Sequence, residues 1–381
     1  MTNSASYRLP AEWEPQAGVL IAWPHAGTDW AERLAGVETT YVALAAAVTR
    51  FEPLHIIVAD AELRERARLA IEEAGADMSR VHFIELPYDD TWLRDSGPIT
   101  LTGPEGVLLN DYRFTGWGGK FGAEQDDAII AGLLQRGVLS GLPHKRIDWA
   151  LEGGGIESDG QGTILTTWKC LVQRHPDLSR ESMTDTLATT LHANRVLWLE
   201  HGYLEGDDTD AHVDTLARFS PDGGIVYQAC DDASDPHFEE LGQMAAELAE
   251  LRSPEGKPYP LHPLPWAQPI IDEGRRLAAS YANYLIVNGA VLVPAYGDRV
   301  DAEAARIIGL AHPGPSDPSW WISPPIKSPT SPTTSEKIRN PAPMIVIARN
   351  VSSNPLIARP CPDQHPTGPT PSRGHQPPTR F

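Results

Sequence analysis

The sequence predicts an α/β fold. Apolar runs of strand length alternate with amphipathic segments of helical period, and this strand–helix–strand unit recurs between Ala17 and Leu310. No Gly-rich phosphate-binding motif follows any predicted strand. These observations indicate a modular α/β fold without one of the usual nucleotide-binding layouts.

The amino-terminal part contains three predicted strands and two predicted helices. The first strand lies between Pro15 and Pro24, and one helix carries an apolar stripe from Val37 to Phe51. Asp60 is placed to cap the second helix. The strands are Ala17 to Trp23, Leu54 to Val58 and Val81 to Leu86, and the second helix is Ala61 to Ala74.

The same alternation continues through the middle and end of the chain. Predicted strands are Ile99 to Leu101, Gly106 to Tyr112, Ile147 to Leu151, Thr163 to Thr167, Val196 to Leu199, Val213 to Phe219, Gly224 to Tyr227, Tyr284 to Val287 and Ala290 to Pro294. Predicted helices are Glu124 to Gln135, Arg180 to Leu191, Phe238 to Leu251 and Asp301 to Leu310.

Composition limits the function classes. The net charge of -20 argues against a nucleic-acid partner and suits small, cationic ligands. The three cysteines are too few and too widely spaced for a disulfide framework or a structural zinc site. We expect a cytoplasmic protein, because the start does not resemble a signal peptide and no apolar run is long enough to span a membrane.

A change of composition divides the chain into a folded domain, 1–312, and a tail, 313–381. The tail is rich in Pro, Ser and Thr, and we expect it to be unstructured. A polyproline ligand for a partner domain is the functional alternative to an extension without a dedicated role. Only Met344 to Ala348 suggests a strand there.

The stretch Gly206 to Phe219, GDDTDAHVDTLARF, is dense in charge. His212 and Asp214 are two residues apart, so on an extended strand they would face one pocket, with Val213 buried on the other side. The carboxylates of Asp207 to Asp210 would favour a cation nearby. A solvated acidic turn is the alternative for that run.

Three further segments carry candidate site residues. Trp92 and Asp95 could hold a planar cation, although Asp95 could instead pair with Arg94. Glu152, in LEGGG, could orient an imidazole, or simply begin a turn. The Gly-rich loop Thr115 to Phe121, with Trp117 and Lys120, could form a lid or wall of a pocket.

Together, Asp95, Glu152, His212 and Asp214 form the set that a guanidinium hydrolase requires. Two carboxylates can grip a planar cation, while a Glu-supported imidazole transfers protons. Such an enzyme also needs a nucleophile, normally a thiolate, to attack the guanidinium carbon.

The chain resembles the agmatine deiminase branch of the bacterial peptidylarginine deiminase family. The resemblance rests on PAEWEPQAGVLIAWPH, DDTWLRDSGP, LEGGG, GDDTDAHVDTLARF and ANYLIVNGAVLVPAYGD, and it extends from about Tyr7 to about Ala311. It implies the five-bladed α/β-propeller, or pentein fold, of guanidine-modifying enzymes. It also implies hydrolysis of agmatine to N-carbamoylputrescine and ammonia, a step of putrescine biosynthesis, through an amidino-cysteine intermediate.

Residue roles follow from the same resemblance. Asp95 and Asp214 would bind the guanidinium, His212 would be the general acid and base, and Glu152 would pair with His212. Trp92 and Trp117 would line the pocket. No metal or organic cofactor is implied, the expected partner is agmatine, and a homo-oligomer stays open. Free arginine or peptidylarginine is the alternative substrate.

The sequence departs from the family pattern near its carboxyl end. The family nucleophile lies in a Gly-rich phrase ending in His-Cys, and no such phrase follows Asp298. Cys361 is the only later cysteine, and it lies between two prolines, which lack the N–H groups that help to hold a thiolate. We interpret Cys170 and Cys230 as buried, inert thiols. We interpret the tail as the product of a shifted reading frame or a sequencing error that replaces the last blade. Because the nucleophile is missing, the alternative to an active hydrolase is a catalytically inactive relative that binds guanidines.

Overall fold

The computed structural model describes residues 7–313, 321–322 and 344–348. Five sheets of three or four strands follow one another within this part of the chain, together with one two-stranded hairpin, Ile271–Asp272 with Arg275–Arg276. The α/β class predicted from the sequence is confirmed. None of the helices in the described ranges is long and apolar enough to cross a membrane.

The first sheet is entirely parallel. Its strands are Val19–Ala22, Leu54–Val58 and Val81–Glu85. Helices Leu34–Val48 and Ala61–Glu73 make the two crossovers. The predicted cap is confirmed, since Leu63 N–H donates to Oδ1 of Asp60 over 2.8 Å.

The second, third and fourth sheets share one plan, in which an antiparallel hairpin is followed by a helical crossover to a parallel third strand. Their strands are Ile99–Gly103, Gly106–Arg113 and His144–Ala150; Ile156–Ser158, Thr163–Thr167 and Arg195–Leu199; and Ala217–Phe219, Ile225–Gln228 and Leu261–Leu264. The crossover helices are Ile129–Gln135, then Trp168–Arg174 with Arg180–Thr190, then Phe238–Glu250. The repeated strand–helix units of the sequence correspond to these sheets.

The fifth sheet contains Leu285–Val287 and Ala290–Pro294, and helix Asp301–Ala311 follows them. Met344–Ala348, the one strand-like run of the tail, pairs antiparallel with Ala290–Pro294 and with Trp321–Ile322. The other residues of the tail, including Cys361, lie outside the described residues.

Apolar clusters join each sheet to the next module. Ile57 of the first sheet packs with Leu133 of the following crossover helix, and Tyr112 of the second sheet packs with Ile164 of the third. Further clusters pair Leu165 with Phe219, Val226 with Val291, and Leu54 with Leu292. The last of these pairs connects the first sheet to the fifth.

Four short helical turns, Leu93–Ser96, Gly116–Gly119, Gly153–Gly155 and Val213–Thr215, contain or directly follow the candidate site residues. Asp95, Trp117 and Asp214 lie within these turns, whereas Trp92, Glu152 and His212 each directly precede one. The predicted strand from Val213 to Phe219 is therefore wrong in its first half, since the strand begins at Ala217. Asp210 and Ala211 have positive φ angles of 65° and 69°, and the Thr215 hydroxyl donates to the carbonyl of His212. This side-chain hydrogen bond and the left-handed residues favour a compact turn over an extended strand.

Candidate functional site

Three charged groups from two segments of the chain converge on Gly154. A Cβ atom at Gly154 would lie 2.5 Å from Nδ1 of His212, 2.7 Å from Oδ1 of Asp95 and 2.9 Å from Oδ2 of Asp214. Only glycine fits at this position, because a methyl group would overlap all three. The structure thus brings Asp95, from one predicted motif, together with His212 and Asp214 from another.

Asp95 is held by two hydrogen bonds. The N–H of Gly154 donates to Oδ1 over 3.0 Å, and Nε1 of Trp117 donates to Oδ2 over 3.0 Å. Asp95 is buried, and each of its oxygens still has a lone pair available. The carboxylate is therefore oriented while keeping acceptor capacity for a bound cation.

His212 lies between two carboxylates. Its Nδ1 is 3.5 Å from Oδ1 of Asp95, and its Nε2 is 3.4 Å from Oε2 of Glu152. Burial alone would lower the pKa of His212, but Asp95 and the thiol and carboxylate groups around it raise that pKa well above its usual range. The site favours the protonated imidazole.

Glu152 is completely buried and forms an ion pair with Arg174, whose Nε lies 2.8 Å from Oε1. Burial raises the pKa of a carboxyl group, but His212 and Arg174 outweigh it here and lower the pKa of Glu152. Arg174 also binds Oδ2 of Asp210 over 2.7 Å. The sequence analysis did not identify Arg174, because a single arginine at a helix end carries no distinctive pattern.

Asp214 belongs to a second charged network, in which Asp214 and Arg218 are buried and Arg94 and Glu12 are partly accessible. Nε of Arg94 lies 3.5 Å from its Oδ2, and Arg94 and Arg218 both pair with Glu12. Burial raises the pKa of Asp214, although Arg94 and His212 oppose that shift. Arg94 therefore pairs with Asp214 and not, as in the alternative considered from the sequence, with Asp95. Glu12 and Arg218 were also missed from the sequence.

The two tryptophans differ in their surroundings. Trp117 is buried, donates to Asp95, and packs edge-on against Phe114 and Phe121. It has a φ of 55°, which is a strained conformation for a residue with a side chain. Trp92 is 41% exposed, and its ring packs against Trp30 at 5.6 Å between centroids.

The carboxylates of the acidic run Asp207 to Asp210 have hydrogen-bond or ion-pair partners. Asp207 accepts hydrogen bonds from the N–H groups of Thr209 and Ala211, and Asp208 pairs with Arg275. Asp210 lies 2.7 Å from Lys120 and 2.7 Å from Arg174. Basic side chains and backbone donors thus already contact these carboxylates, and attraction of a cation by this run stays a prediction.

Cys170 lies in the site. It is fully buried, as predicted, and its Sγ is 4.0 Å from Oε2 of Glu152. Burial raises the pKa of the Cys170 thiol, against the effect of His212. Cys230 lies elsewhere, with its Sγ 3.7 Å from the carbonyl of Asp232. It is only partly buried, so the prediction that it is buried is wrong.

Within the described ranges, one group of side chains has the composition of a metal site. The ligand atoms of Glu152, Cys170 and His212 all lie within 4.8 Å of one another.

Comparison with known proteins decides the family. Residues 8–316 match the model of the Porphyromonas-type peptidyl-arginine deiminase family. The chain belongs to this family. Relatives in the peptidyl-arginine deiminase family include the agmatine deiminase of Stutzerimonas stutzeri, 34% identical over 81% of this chain and 88% of the relative, and that of Pseudomonas aeruginosa, 31% identical over the same shares.

Solved structures of the family show the same fold. A Cys-to-Ser variant of C. jejuni agmatine deiminase, with substrate bound, is 30% identical and superposes with a TM-score of 0.74. The match covers 82% of this chain and 90% of that chain. Agmatine deiminase of Enterococcus faecalis superposes with a TM-score of 0.70 at 26% identity, covering 82% of this chain and 92% of that one.

Proposed function

We propose that this chain is an agmatine deiminase-like hydrolase, whose reaction converts agmatine and water to N-carbamoylputrescine and ammonia. The observation that carries the proposal is the convergence of Asp95, Asp214 and His212 around Gly154. Two carboxylates suit the planar, forked guanidinium group. The similarity to agmatine deiminases supports agmatine as the substrate.

His212 and Glu152 would transfer the protons. A thiolate attacks the guanidinium carbon, and His212 donates a proton to the departing ammonia. Water then attacks the amidino-thioester carbon while the neutral imidazole accepts its proton, which releases N-carbamoylputrescine and the thiolate. Glu152, 3.4 Å from Nε2, supports the positive charge of the imidazole in the first step.

The positions of the cysteines favour a second candidate function, in which the protein binds guanidines but does not hydrolyse them. Cys170 lies on the Nε2 side of His212, beside Glu152, whereas Asp95 lies on the Nδ1 side. Cys230 lies beside Asp232, and Cys361 is outside the described residues. The substrate-bound Cys-to-Ser variant of the C. jejuni enzyme supports binding in the absence of a cysteine thiol.

We also infer that the five sheets are the blades of a propeller. The shared plan of the second, third and fourth sheets supports this inference, as do the apolar clusters between neighbouring sheets. The cluster with Leu54 and Leu292 connects the first and fifth sheets, which is the contact that a closed ring requires.

An ammonia assay and calorimetric titration with agmatine separate the two candidates. His201, which is partly exposed and pairs with Glu247, provides a control histidine. Ammonia release that is lost on Cys361→Ser and His212→Ala, but kept on His201→Ala, supports hydrolysis through Cys361. Agmatine binding without ammonia supports the second candidate. Absence of both binding and ammonia contradicts both. Titration with free arginine in the same experiment tests the alternative substrate.

A further inference from the structure

One nitrogen of the site has no hydrogen bond. Nε2 of His212 is buried and lacks a hydrogen-bond partner within the described residues, although Oε2 of Glu152 lies 3.4 Å away. A buried polar atom without a partner is unfavourable, because nothing compensates for its loss of hydration. The atom is directed toward Glu152 and Cys170, so these residues bound the space in which a ligand could satisfy it.

The neighbouring groups are fixed in place. Arg174 binds Oε1 of Glu152 over 2.8 Å and leaves Oε2 directed toward the imidazole. Cys170 lies in the first turn of helix Trp168–Arg174, which the side chain of Thr167 caps. A carboxylate oxygen, an imidazole nitrogen and a thiol sulfur therefore surround one small volume without rearrangement of the backbone.

Nε2 of His212 and Oε2 of Glu152 have the spacing of zinc ligands, and Sγ of Cys170 reaches it by a small movement of its side chain. Bond lengths of about 2.0–2.3 Å and a tetrahedral arrangement place neighbouring ligand atoms roughly 3.3–3.6 Å apart. The Nε2–Oε2 distance is 3.4 Å and the Sγ–Oε2 distance is 4.0 Å. A thiol ligand favours Zn²⁺ over Mg²⁺ or Ca²⁺, which prefer oxygen ligands.

We propose that Glu152, Cys170 and His212 bind a Zn²⁺ ion that the hydrolysis reaction does not use. Binding requires the Cys170 thiolate and the neutral imidazole of His212, so the thiol proton and the Nε2 proton both leave to solvent. The ion occupies the lone pair of Nε2 and the facing oxygen of Glu152, so it separates the two groups that would transfer protons. Zinc is therefore an inhibitor of the site, and its binding does not depend on agmatine being the substrate.

Cobalt is the probe, because Co²⁺ occupies zinc sites and absorbs light. The whole chain, freed of metal with a chelator, is titrated with Co²⁺, and thiolate-to-cobalt charge-transfer absorption is recorded in the near ultraviolet. The variants are Cys170→Ser and Glu152→Gln, and the matched controls are Cys230→Ser and Cys361→Ser. Circular dichroism shows which variants are folded.

We expect the charge-transfer band in the unmodified chain and in both controls, and its loss in Cys170→Ser. Zn²⁺ should displace Co²⁺ from the unmodified chain. The Kd for Zn²⁺ should be at least about 10-fold higher in folded Glu152→Gln than in the unmodified chain. Loss of a residue that only supports a metal ligand already lowers metal affinity by this factor. No band in the unmodified chain, or an unchanged band in Cys170→Ser, would overturn the proposal.

Discussion

Oε2 of Glu152 lies 3.4 Å from Nε2 of His212, and both side chains are almost completely buried. Arg174 holds the other oxygen of the same carboxylate. The charge of the imidazole is thus balanced by a carboxylate that is itself fixed by a guanidinium. This arrangement gives the site a buried imidazole–carboxylate pair whose components can be tested separately.

Gly154→Ala should abolish agmatine binding. The added methyl group would lie less than 3 Å from side-chain atoms of His212, Asp95 and Asp214, so these groups must separate. Agmatine affinity, measured by calorimetry, should fall by at least about 100-fold, equivalent to about 2.7 kcal/mol. Gly242→Ala is the control, because its Cβ meets no atom within 4 Å. Equal affinities of the two variants would contradict the assignment of the site.

Arg174→Met should destabilise the fold. It leaves the carboxylate of Glu152 buried without its cation, and loss of one partner of a buried ion pair costs about 3–5 kcal/mol. Urea unfolding measures the change. Arg306→Met removes an exposed pair with Glu303 and should leave the free energy of unfolding nearly unchanged, because solvent screens such pairs. Similar losses of unfolding free energy in both variants would show that the buried pair of Arg174 and Glu152 stabilises the fold no more than an exposed pair does.

Much of the fold could be predicted from the sequence, because apolar periodicity and capping residues are local signals. Asp60 at the start of its helix and the apolar run Met344–Ala348 are examples. The turn Val213–Thr215 could not be predicted, since its shape depends on the left-handed residues before it. An alternating polar pattern looks the same in a strand and in this turn.

The candidate site was predicted in part. Asp95, His212 and Asp214 meet at Gly154, but Arg174 and Cys170 were not assigned to the site, because their proximity to Glu152 exists only in the folded chain. The carboxylates of Asp207 to Asp210 show the opposite case. Their density in the sequence suggested a cation site, whereas Lys120, Arg174 and Arg275 come from distant segments to pair with them.

Trp117→Phe should weaken agmatine binding. Phenylalanine keeps the ring packing but removes the N–H that donates to Oδ2 of Asp95. A hydrogen bond to a charged acceptor contributes about 1.5–3 kcal/mol, so an affinity loss of about 10-fold is expected. Trp198→Phe removes a comparable hydrogen bond to Thr184 and should leave the affinity unchanged. Unchanged binding in Trp117→Phe would show that Trp117 does not position Asp95 for the ligand.

Asp126→Asn should change the pH dependence of stability. Burial raises the pKa of Asp126 to about 6, so the folded state favours the protonated carboxyl group. The stability that this protonation contributes is fully present below about pH 4 and is lost as the pH rises through about 6. Relative to Asp126→Asn, the unmodified chain should therefore lose about 1 kcal/mol between pH 5.5 and 7.5. Urea unfolding of both chains at both pH values checks this, and a pH-independent difference would contradict it.

Guanidinium recognition is the central claim, and calorimetric titration of the whole chain with agmatine and with putrescine tests it most directly. Putrescine has the same diamine skeleton but lacks the guanidinium carbon. The account predicts saturable binding of one agmatine per chain, with putrescine at least about 100-fold weaker. Equal affinities for the two ligands, or no binding of agmatine, would contradict it.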